Sequence, residues 1–316
     1  MEYRILGRTG FSISDIGFGA MTIGGEVFGS TDDKESLRAL NRAVDLGMNF
    51  IDTADAYGRG HSEELVGSML KTRRDEVVIA TKGGNRFDVR QGYRDFDPDY
   101  ISSALERSLI RLGIETIDLY QLHNPPQEIL RSGEIFERLD RHKREGKIRF
   151  YGVSVQSHTD GVTAIQTGKP DTIQVVYNML HQEPEFELFP LAQRDNIGVI
   201  ARVPFERGLL AGRLRAGADF AQNDGRAGLF RDDSLESLAA VVEKLSFVVG
   251  EVVPSIGNAA LRFSISHPAV ATVIPGIRTV QQLEENIEAS GNELRQEHIA
   301  RLRRLWREEL TEFKHH

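Results

Sequence analysis

Short apolar runs rich in β-branched residues recur along the chain, and stretches with apolar residues at helical spacing separate them. Continuous apolar runs of this length are typical of strands buried on both faces, as in parallel sheets covered by helices. Eight strand and helix units follow one another, and this repetition predicts an α/β fold built as a single (β/α)8 TIM barrel. The predicted strands cover residues 15–20, 49–53, 77–82, 117–123, 148–154, 172–178, 198–204 and 271–276.

The segments outside the eight units complete this fold. Residues 3–14 predict an N-terminal β-hairpin, because a Gly-Arg-Thr-Gly stretch lies between two short runs, and we expect it to close the bottom of the barrel. A C-terminal helix is predicted over residues 296–310. No linker rich in proline or serine divides the chain, so we expect residues 1–316 to form one barrel domain.

Start and stop signals predict several helices: one from Asp32 to about Gly47, one that opens at Ser62, and one from Pro98 to Gly113. The interval before the eighth strand is much longer than the others and contains a glycine-rich loop. A helical pattern resumes near Leu235, and a second one begins at Pro254. Loops of this length are usually functional.

Composition and charge exclude several classes of function. The net charge of −8 argues against a nucleic-acid partner, because phosphate contacts need clustered Lys and Arg. The chain has no cysteine, which excludes disulfides, thiolate zinc sites and cysteine nucleophiles. None of the nine histidines shows His-x3-His or His-Glu-x2-His spacing, so we expect no metal site.

The same features bear on location and assembly. No apolar run approaches the ~20 residues of a membrane span, and the N-terminus lacks an apolar signal segment. We therefore expect a cytoplasmic protein without a membrane partner. The oligomeric state stays open, because no exposed apolar stripe stands out in the sequence.

Four polar residues fall at or just after the ends of predicted strands. Asp52 lies at the end of the second predicted strand, and Tyr57 lies in the loop that follows it. Lys82 ends the third predicted strand, and His123 ends the fourth. The carboxyl ends of barrel strands face one pocket, so we expect these side chains to converge. A lone Asp or Lys at a strand end is more often a local cap or part of an ion pair than a functional residue.

Together, these residue types suit proton transfer to a carbonyl oxygen. A tyrosine, with a pKa of about 10, is a weak acid at neutral pH, but a neighbouring lysine stabilises the phenolate and a carboxylate holds that lysine in place. A neutral histidine donates a hydrogen bond to the same oxygen. The set contains no nucleophile and predicts a site that donates a proton and stabilises an oxyanion.

Eight segments, in order, give the chain a specific resemblance to a known family. They are DTADAYG, SEELVG, TKGG, YQLH, YGVS, QVVYN, PFERGLLAG and IPGIRTVQQLEEN. The chain resembles the aldo-keto reductases from the N-terminal hairpin through the eighth unit. The resemblance implies reduction of an aldehyde or ketone to an alcohol, or the reverse oxidation, by a catalytic tetrad of Asp52, Tyr57, Lys82 and His123, with Tyr57 as the general acid.

The resemblance also implies a nicotinamide dinucleotide bound without a Rossmann domain. The sequence agrees, because Gly17-Phe18-Gly19 lacks the third glycine of G-x-G-x-x-G. The long loop before Leu235 is expected to close over this cofactor. The implied cofactor-binding residues are Met21, Ser154, Gln174, Arg202, Pro204, Phe205, Gly208, Leu209, Gly276, Arg278, Gln282, Glu285 and Asn286.

These residues divide by the part of the cofactor that they would meet. Ser154 and Gln174 would hold the carboxamide, unless they are buried polar residues satisfied by backbone groups. Residues 204–209 would cover the pyrophosphate, and residues 276–286, which enter a helix whose N-terminus suits a phosphate, would surround the adenosine. Arg278 favours NADPH by meeting the 2′-phosphate, while NADH remains an alternative.

Two positions depart from the family pattern. Val155 stands where the family often has an asparagine, and Arg202 stands where many members carry an aromatic residue stacked on the nicotinamide. The charge of Arg202 would disfavour the oxidised, cationic ring.

Two other functions stay open at this point. One is a regulatory or partner-binding barrel that binds the cofactor with little turnover, since some relatives serve as channel subunits. The other is a barrel aldolase or isomerase that uses a lysine Schiff base or a carboxylate base. The predicted pocket residues do not fix the substrate; they are Met21, Phe28, Arg86, Phe87, Asn124 and Phe230.

Overall fold

Eight parallel strands form the predicted barrel. The computed structural model describes residues 1–25, 31–87, 89, 92–212 and 235–310. After an antiparallel hairpin of β1 (Tyr3–Ile5) and β2 (Ser12–Ser14), the barrel strands are β3 (Phe18–Gly19), β4 (Phe50–Asp52), β5 (Val78–Gly83), β6 (Ile117–His123), β7 (Ile148–Ser154), β8 (Thr172–Val176), β9 (Gly198–Arg202) and β10 (Val270–Ile274), paired in that order. Parallel bridges from Ile16 to Val273 and from Gly19 to Gly276 join the two ends of the sheet into a ring.

Helices cover the outside of the barrel. They are α1 (Asp33–Asp45), α2 (His61–Arg73), α3 (Pro98–Leu112), α4 (Gln127–Ser132), α5 (Glu134–Arg144), α6 (His158–Gln166), α7 (Leu188–Arg194), α8 (Leu235–Leu245), α9 (Ile256–Ile265), α10 (Val280–Ile287) and α11 (Gln296–Glu309). Asp32 caps α1, and Pro98 and Gly113 bound α3, as predicted. Among the described residues, no helix has both the length and the apolar character that a membrane span requires.

Two predicted helix starts were wrong by one or two residues. α2 begins at His61, because the Ser62 hydroxyl donates to the Ala20 carbonyl at 2.8 Å instead of capping the helix. α9 begins two residues after Pro254, because the Ser255 hydroxyl accepts from the backbone of Asn258 and caps it.

Three predicted strands end two residues early: the structure has β8 ending at Val176, β9 at Arg202 and β10 at Ile274. β9 stops at Arg202, because Val203 takes a φ of 58°, outside the extended region. β10 stops at Ile274, because Pro275 has no N–H to donate to the next strand.

The hairpin closes the amino end of the barrel, as the sequence predicted. A Cβ added to Gly7 would lie 2.2 Å from the backbone nitrogen of Gly198, and the φ of Gly7 is 48°, so only glycine fits where the hairpin meets the start of β9. One apolar cluster combines side chains of the hairpin with side chains of the barrel strands: Leu6, Phe11, Ile13, Phe50, Ala80, Leu119, Ile200, Ala271 and Ile274.

Asp55, in the loop after β4, is a buried carboxyl group. It is 2% exposed, and its Oδ1 has no hydrogen-bond partner among the described residues. Burial, helped by the nearby Glu63, raises the pKa of Asp55 to about 8. Asp55 is therefore mostly protonated at neutral pH in the folded protein.

Leu6→Ala should lower the free energy of unfolding by about 2–5 kcal/mol, because Leu6 is fully buried and its truncation leaves a cavity at the closed end of the barrel. The matched control is Ile5→Ala, since Ile5 is 59% exposed in the same hairpin and its truncation should change stability by less than ~0.5 kcal/mol. Urea denaturation followed by circular dichroism measures both. Equal losses in the two variants would contradict a core role for Leu6.

Asp55→Asn should stabilise the protein more as the pH rises. The folded state holds the Asp55 proton with a pKa of about 8, whereas the unfolded state releases it near ~3.9, so the contribution of Asp55 to stability is complete at low pH and is lost as the pH rises through 8. The amide mimics the protonated carboxyl at every pH. Guanidinium denaturation at about pH 5 and about pH 8 tests this, and a stability difference that is independent of pH would contradict it.

Candidate active site

The four polar side chains predicted to converge do meet at the carboxyl end of the barrel. Asp52 ends β4, Lys82 lies one residue before the end of β5, His123 ends β6, and Tyr57 opens a 3-10 turn over Tyr57–Gly60. In the strand register, Lys82 lies level with Gln121 and His123 with Ser154. The parallel register therefore brings side chains from neighbouring strands into one pocket.

The ammonium group of Lys82 links the pocket together. Lys82 is fully buried, and its Nζ donates to Asp52 Oδ1 at 2.5 Å, to the Thr53 carbonyl at 2.9 Å and to Tyr57 Oη at 3.1 Å. These three acceptors match the three protons of an ammonium group. Burial alone would lower the pKa of Lys82, but Asp52 and Tyr57 outweigh burial and raise it above its usual value. Lys82 is therefore a cation that faces the Tyr57 oxygen.

Asp52 is held by three donors. Besides Lys82, Gln174 Nε2 donates to its Oδ2 at 2.8 Å and Gln121 Nε2 at 3.1 Å. The sequence interpretation missed Gln121. It lies two residues before His123, and because side chains alternate along a strand, both face the inside of the barrel. This spacing of two residues from His123 was the signal in the sequence that could have identified Gln121.

His123 is held as a neutral donor. Asn85 Nδ2 lies 2.9 Å from His123 Nδ1, and because an amide nitrogen only donates, Nδ1 accepts and the ring proton lies on Nε2. Burial, followed by the charges of Lys82 and Arg202, lowers the pKa of His123 well below its usual value. The sequence interpretation also missed Asn85, which lies beyond the end of β5.

A tight turn fixes Tyr57. Its backbone nitrogen donates to the Ala54 carbonyl at 3.1 Å. A Cβ added to Gly58, whose φ is 59°, would lie 2.1 Å from the Gly24 carbonyl oxygen, so the turn packs directly against the loop after β3. The ring of Tyr57 meets His123 edge to face with 5.9 Å between centroids.

Ser154, Gln174 and Arg202 border the same pocket. Ser154 Oγ donates to Gln174 Oε1 at 3.1 Å, so these two buried residues are satisfied by side chains of the Asp52 network rather than by backbone. Arg202 Nη2 donates to the Val155 carbonyl at 3.0 Å, while its buried Nε has no partner among the described residues. Burial lowers the pKa of Arg202, and Tyr57 partly counters this effect.

The segment after β9, predicted to cover the pyrophosphate, has strained backbone. Val203, Glu206 and Arg207 have φ values of 58°, 43° and 53°. Left-handed backbone at residues other than glycine costs about 1–3 kcal/mol each, and a β-branched residue such as valine is a rare case. The predicted residues Pro204, Phe205, Gly208 and Leu209 all belong to this segment, and Pro204 and Leu209 are buried.

Residues 276–286 are held by a bridge to β3 and by hydrogen bonds within the segment. Gly276 pairs with Gly19 of β3, Gln282 Oε1 accepts from the backbone of Arg278 at 2.9 Å, and Glu285 Oε1 accepts from Gln281 at 2.8 Å. Asn286 is buried, and its Nδ2 has no partner among the described residues.

The N-terminus of α10 differs from the phosphate site expected from sequence. The Val280 nitrogen donates to Glu35 Oε1 at 3.0 Å, and the Gln282 nitrogen donates to Thr279 Oγ1 at 3.2 Å. Protein acceptors therefore use two of the first amides of this helix, one of them the carboxylate of Glu35. This leaves the side chain of Arg278 as the better candidate for a phosphate contact.

The structure describes four of the six residues predicted to line the substrate pocket. Met21, 39% exposed, lies in the turn Ala20–Ile23 after β3, and Arg86 and Phe87 follow β5. Asn124 directly follows His123. Phe28, Phe230 and residues 213–234 of the long loop lie outside the described residues. In the described ranges, no group of three or more His, Cys, Asp or Glu side chains could hold a metal ion.

Known proteins share this barrel. The chain matches the model of the Aldo/keto reductase family over residues 15–307. It is 34% identical to the uncharacterized oxidoreductase YqkF of Bacillus subtilis (strain 168) over 320 residues, which cover 100% of this chain and 96% of that protein.

Two solved structures extend the comparison. The holo form of an aldo-keto reductase from Bacillus halodurans has a TM-score of 0.81 at 31% identity and covers 96% of each chain. An aldo-keto reductase from Klebsiella pneumoniae in complex with NADPH has a TM-score of 0.73 at 25% identity, over 97% of this chain and 95% of that one. Because the family match spans all eight barrel strands and the solved relatives repeat the same barrel, the chain belongs to the aldo/keto reductase family.

Proposed function

We propose that this protein is an NADPH-dependent oxidoreductase that reduces an aldehyde or a ketone to an alcohol, or catalyses the reverse oxidation. The contact between Lys82 Nζ and Tyr57 Oη, 3.1 Å long, carries this proposal. A buried cation at that distance stabilises the phenolate that remains after the tyrosine gives up its proton.

Tyr57 is the proton donor in the reduction. As negative charge develops on the carbonyl oxygen, the Tyr57 hydroxyl protonates it, and the resulting phenolate is held by Lys82. Asp52 balances the charge of Lys82, so Lys82 is not an isolated cation in the buried site. In the oxidation, the same phenolate accepts the proton of the alcohol.

His123 orients the carbonyl group. Its pKa lies well below its usual value, so the ring stays neutral at physiological pH and its Nε2–H donates to the carbonyl oxygen. Its neutrality also avoids a further positive charge beside Lys82 and Arg202.

The described residues fit a nicotinamide dinucleotide. Arg202 Nε and Asn286 Nδ2 are buried donors without partners among them, one at the pocket and one in the segment assigned to the adenosine. Bound NADPH would supply a hydride from nicotinamide C4 to the carbonyl carbon. The residues that would hold it are Met21, Ser154, Gln174 and Arg202 near the nicotinamide, Pro204, Phe205, Gly208 and Leu209 at the pyrophosphate, and Gly276, Arg278, Gln282, Glu285 and Asn286 around the adenosine.

The state of Lys82 argues against the aldolase alternative. A Schiff base forms from a neutral amine, which a depressed lysine pKa would favour. Here Asp52 and Tyr57 raise the pKa of Lys82, and all three of its protons are engaged. The regulatory alternative predicts NADPH binding without turnover, which binding and turnover measurements on the wild-type protein detect.

The apolar core supports the sequence expectation of a single domain. Both apolar clusters of the described residues lie inside or around the one barrel, which supports a single domain. A cytoplasmic location remains a prediction from the sequence.

Tyr57→Phe should lower kcat for aldehyde reduction by at least about 100-fold, because it removes the proton donor while keeping the ring in place. The Kd for NADPH should stay within about twofold of wild type. Loss of absorbance of the reduced nicotinamide measures turnover, and calorimetric titration measures binding. Tyr3→Phe, in the hairpin, is the control and should leave both unchanged. Wild-type kcat in the Tyr57 variant across a panel of aldehydes would refute the assignment, and NADPH binding without turnover by the wild type would favour the regulatory role.

Arg278→Ala should raise the Kd for NADPH about tenfold and leave the Kd for NADH within about twofold, because the guanidinium is proposed to meet only the 2′-phosphate. Arg295→Ala is the control, since the Arg295 side chain is 70% exposed at the start of α11. Titration of each variant with both cofactors gives the ratio of Kd values. Equal losses of affinity for the two cofactors would show that Arg278 does not select NADPH.

A further inference from the structure

Three buried polar side chains join the loop after β8 to the segment after β9. Glu206 Oε2 accepts from Asn178 Nδ2 at 2.9 Å and lies 3.1 Å from His181 Nε2, and the Glu206 side chain is 11% exposed. Burial alone would raise the pKa of Glu206, but the hydrogen bonds from His181 and Asn178 outweigh it and hold that pKa below its usual value. Glu206 is therefore a buried carboxylate that the proton transfer at Tyr57 does not use. We call these three side chains the Glu206 latch.

Asn178 can adopt only one orientation. Its Oδ1 accepts from the backbone of Leu180 at 2.8 Å and of His181 at 3.1 Å. Its Nδ2 is therefore directed to the other side, where it donates to the Val203 carbonyl at 2.9 Å and to Glu206. Because Asn178 is fully buried in a tight turn, it gives the segment after β9 a rigid anchor.

The two residues that the Glu206 latch holds in the segment after β9 are also residues with strained backbone. The latch holds the carbonyl of Val203 and the side chain of Glu206, and both residues have left-handed φ values, as does Arg207. Conformations of this kind persist only where surrounding contacts over-determine them. Backbone hydrogen bonds inside the segment run from Glu206 to the Val203 carbonyl at 3.1 Å and from Gly208 and Leu210 to the Phe205 carbonyl at 2.9 Å each, so these bonds tie the segment to itself and not to the loop after β8. The contacts to Asn178 and His181 therefore hold the strained residues against the barrel.

We propose that Glu206 is a positioning residue which, with Asn178 and His181, keeps residues 203–208 in the backbone conformation that receives the cofactor pyrophosphate before the cofactor binds. This inference rests on the proposed function, because it assigns these residues to the dinucleotide. A preformed segment needs little ordering when its ligand arrives, and the saved ordering free energy strengthens binding. The latch therefore acts on cofactor affinity and not on the chemistry at Tyr57.

Glu206→Gln tests the latch with little change of shape. The amide keeps one acceptor for Asn178 but loses the charge that holds His181. We expect the Kd and KM for NADPH to rise about tenfold, while kcat at saturating NADPH stays within about twofold. In the free protein, the amides of Gly208 and Leu210 should exchange hydrogen faster than in the wild type, and saturating NADPH should restore their protection.

Asp118→Asn is the matched control. Asp118 is also a buried carboxylate, 1% exposed, and it pairs with Arg74 and Arg149 at the start of β6, at the amino end of the barrel. The chemical change is the same, but the distance from the cofactor segment predicts an NADPH Kd within about twofold of wild type. The pair of variants therefore separates loss of a latch from loss of a buried charge.

A second variant removes the other side of the latch. His181→Phe keeps a buried ring and removes the donor to Glu206, so the NADPH Kd should rise at least about threefold with kcat retained. Kd values in both latch variants that equal the value of the Asp118 control would overturn the inference, as would unchanged exchange at Gly208 and Leu210, which is measured without any cofactor. A wild-type protein that shows no NADPH binding would overturn the proposed function instead.

Discussion

The ion pair between Lys82 and Asp52 is the constraint on which the rest of the pocket depends. Removing each ion from water costs several kcal/mol, and the mutual attraction offsets this only when the remaining protons and lone pairs are satisfied. Lys82 meets this condition with three acceptors, and Asp52 meets it with donors from β5, β6 and β8. The pair therefore forms only in a closed barrel, and the orientation of Tyr57 follows from it.

Local sequence patterns predicted the strands and the four residues at their carboxyl ends, because strand ends and inward-facing positions follow from alternation and length. Contacts between distant elements could not be predicted in this way. Ser62 looked like a helix cap but binds the carbonyl of Ala20, and the amide of Val280 meets a carboxylate from α1. Valine favours strands, so the sequence predicted that β9 continues through Val203, where the structure instead has a left-handed turn held by Asn178.

The two ends of the barrel serve different physical purposes. The amino end is closed by apolar packing of the hairpin, whereas strained backbone gathers at the carboxyl end. Of the non-glycine residues with positive φ in the described ranges, Arg59, Asn124, Val203, Glu206 and Arg207 follow strand ends, and Asn196 precedes β9. Strain at the pocket is tolerable because the opposite end supplies stability without serving the chemistry.

Closure of the ring joins the start of the chain to its last third. The backbone of Glu2 donates to Ser290 across 288 positions, Asp15 accepts from Ser290 across 275, and Ile16 bridges to Val273. Contacts of such long range form slowly. During synthesis, β3 leaves the ribosome long before β10. One edge of β3 therefore stays unpaired until β10 is available, and such an edge favours association with other chains. The pairing of β3 is thus completed only when the eighth βα unit has been translated. The risk of misassembly falls in the interval before that unit is made.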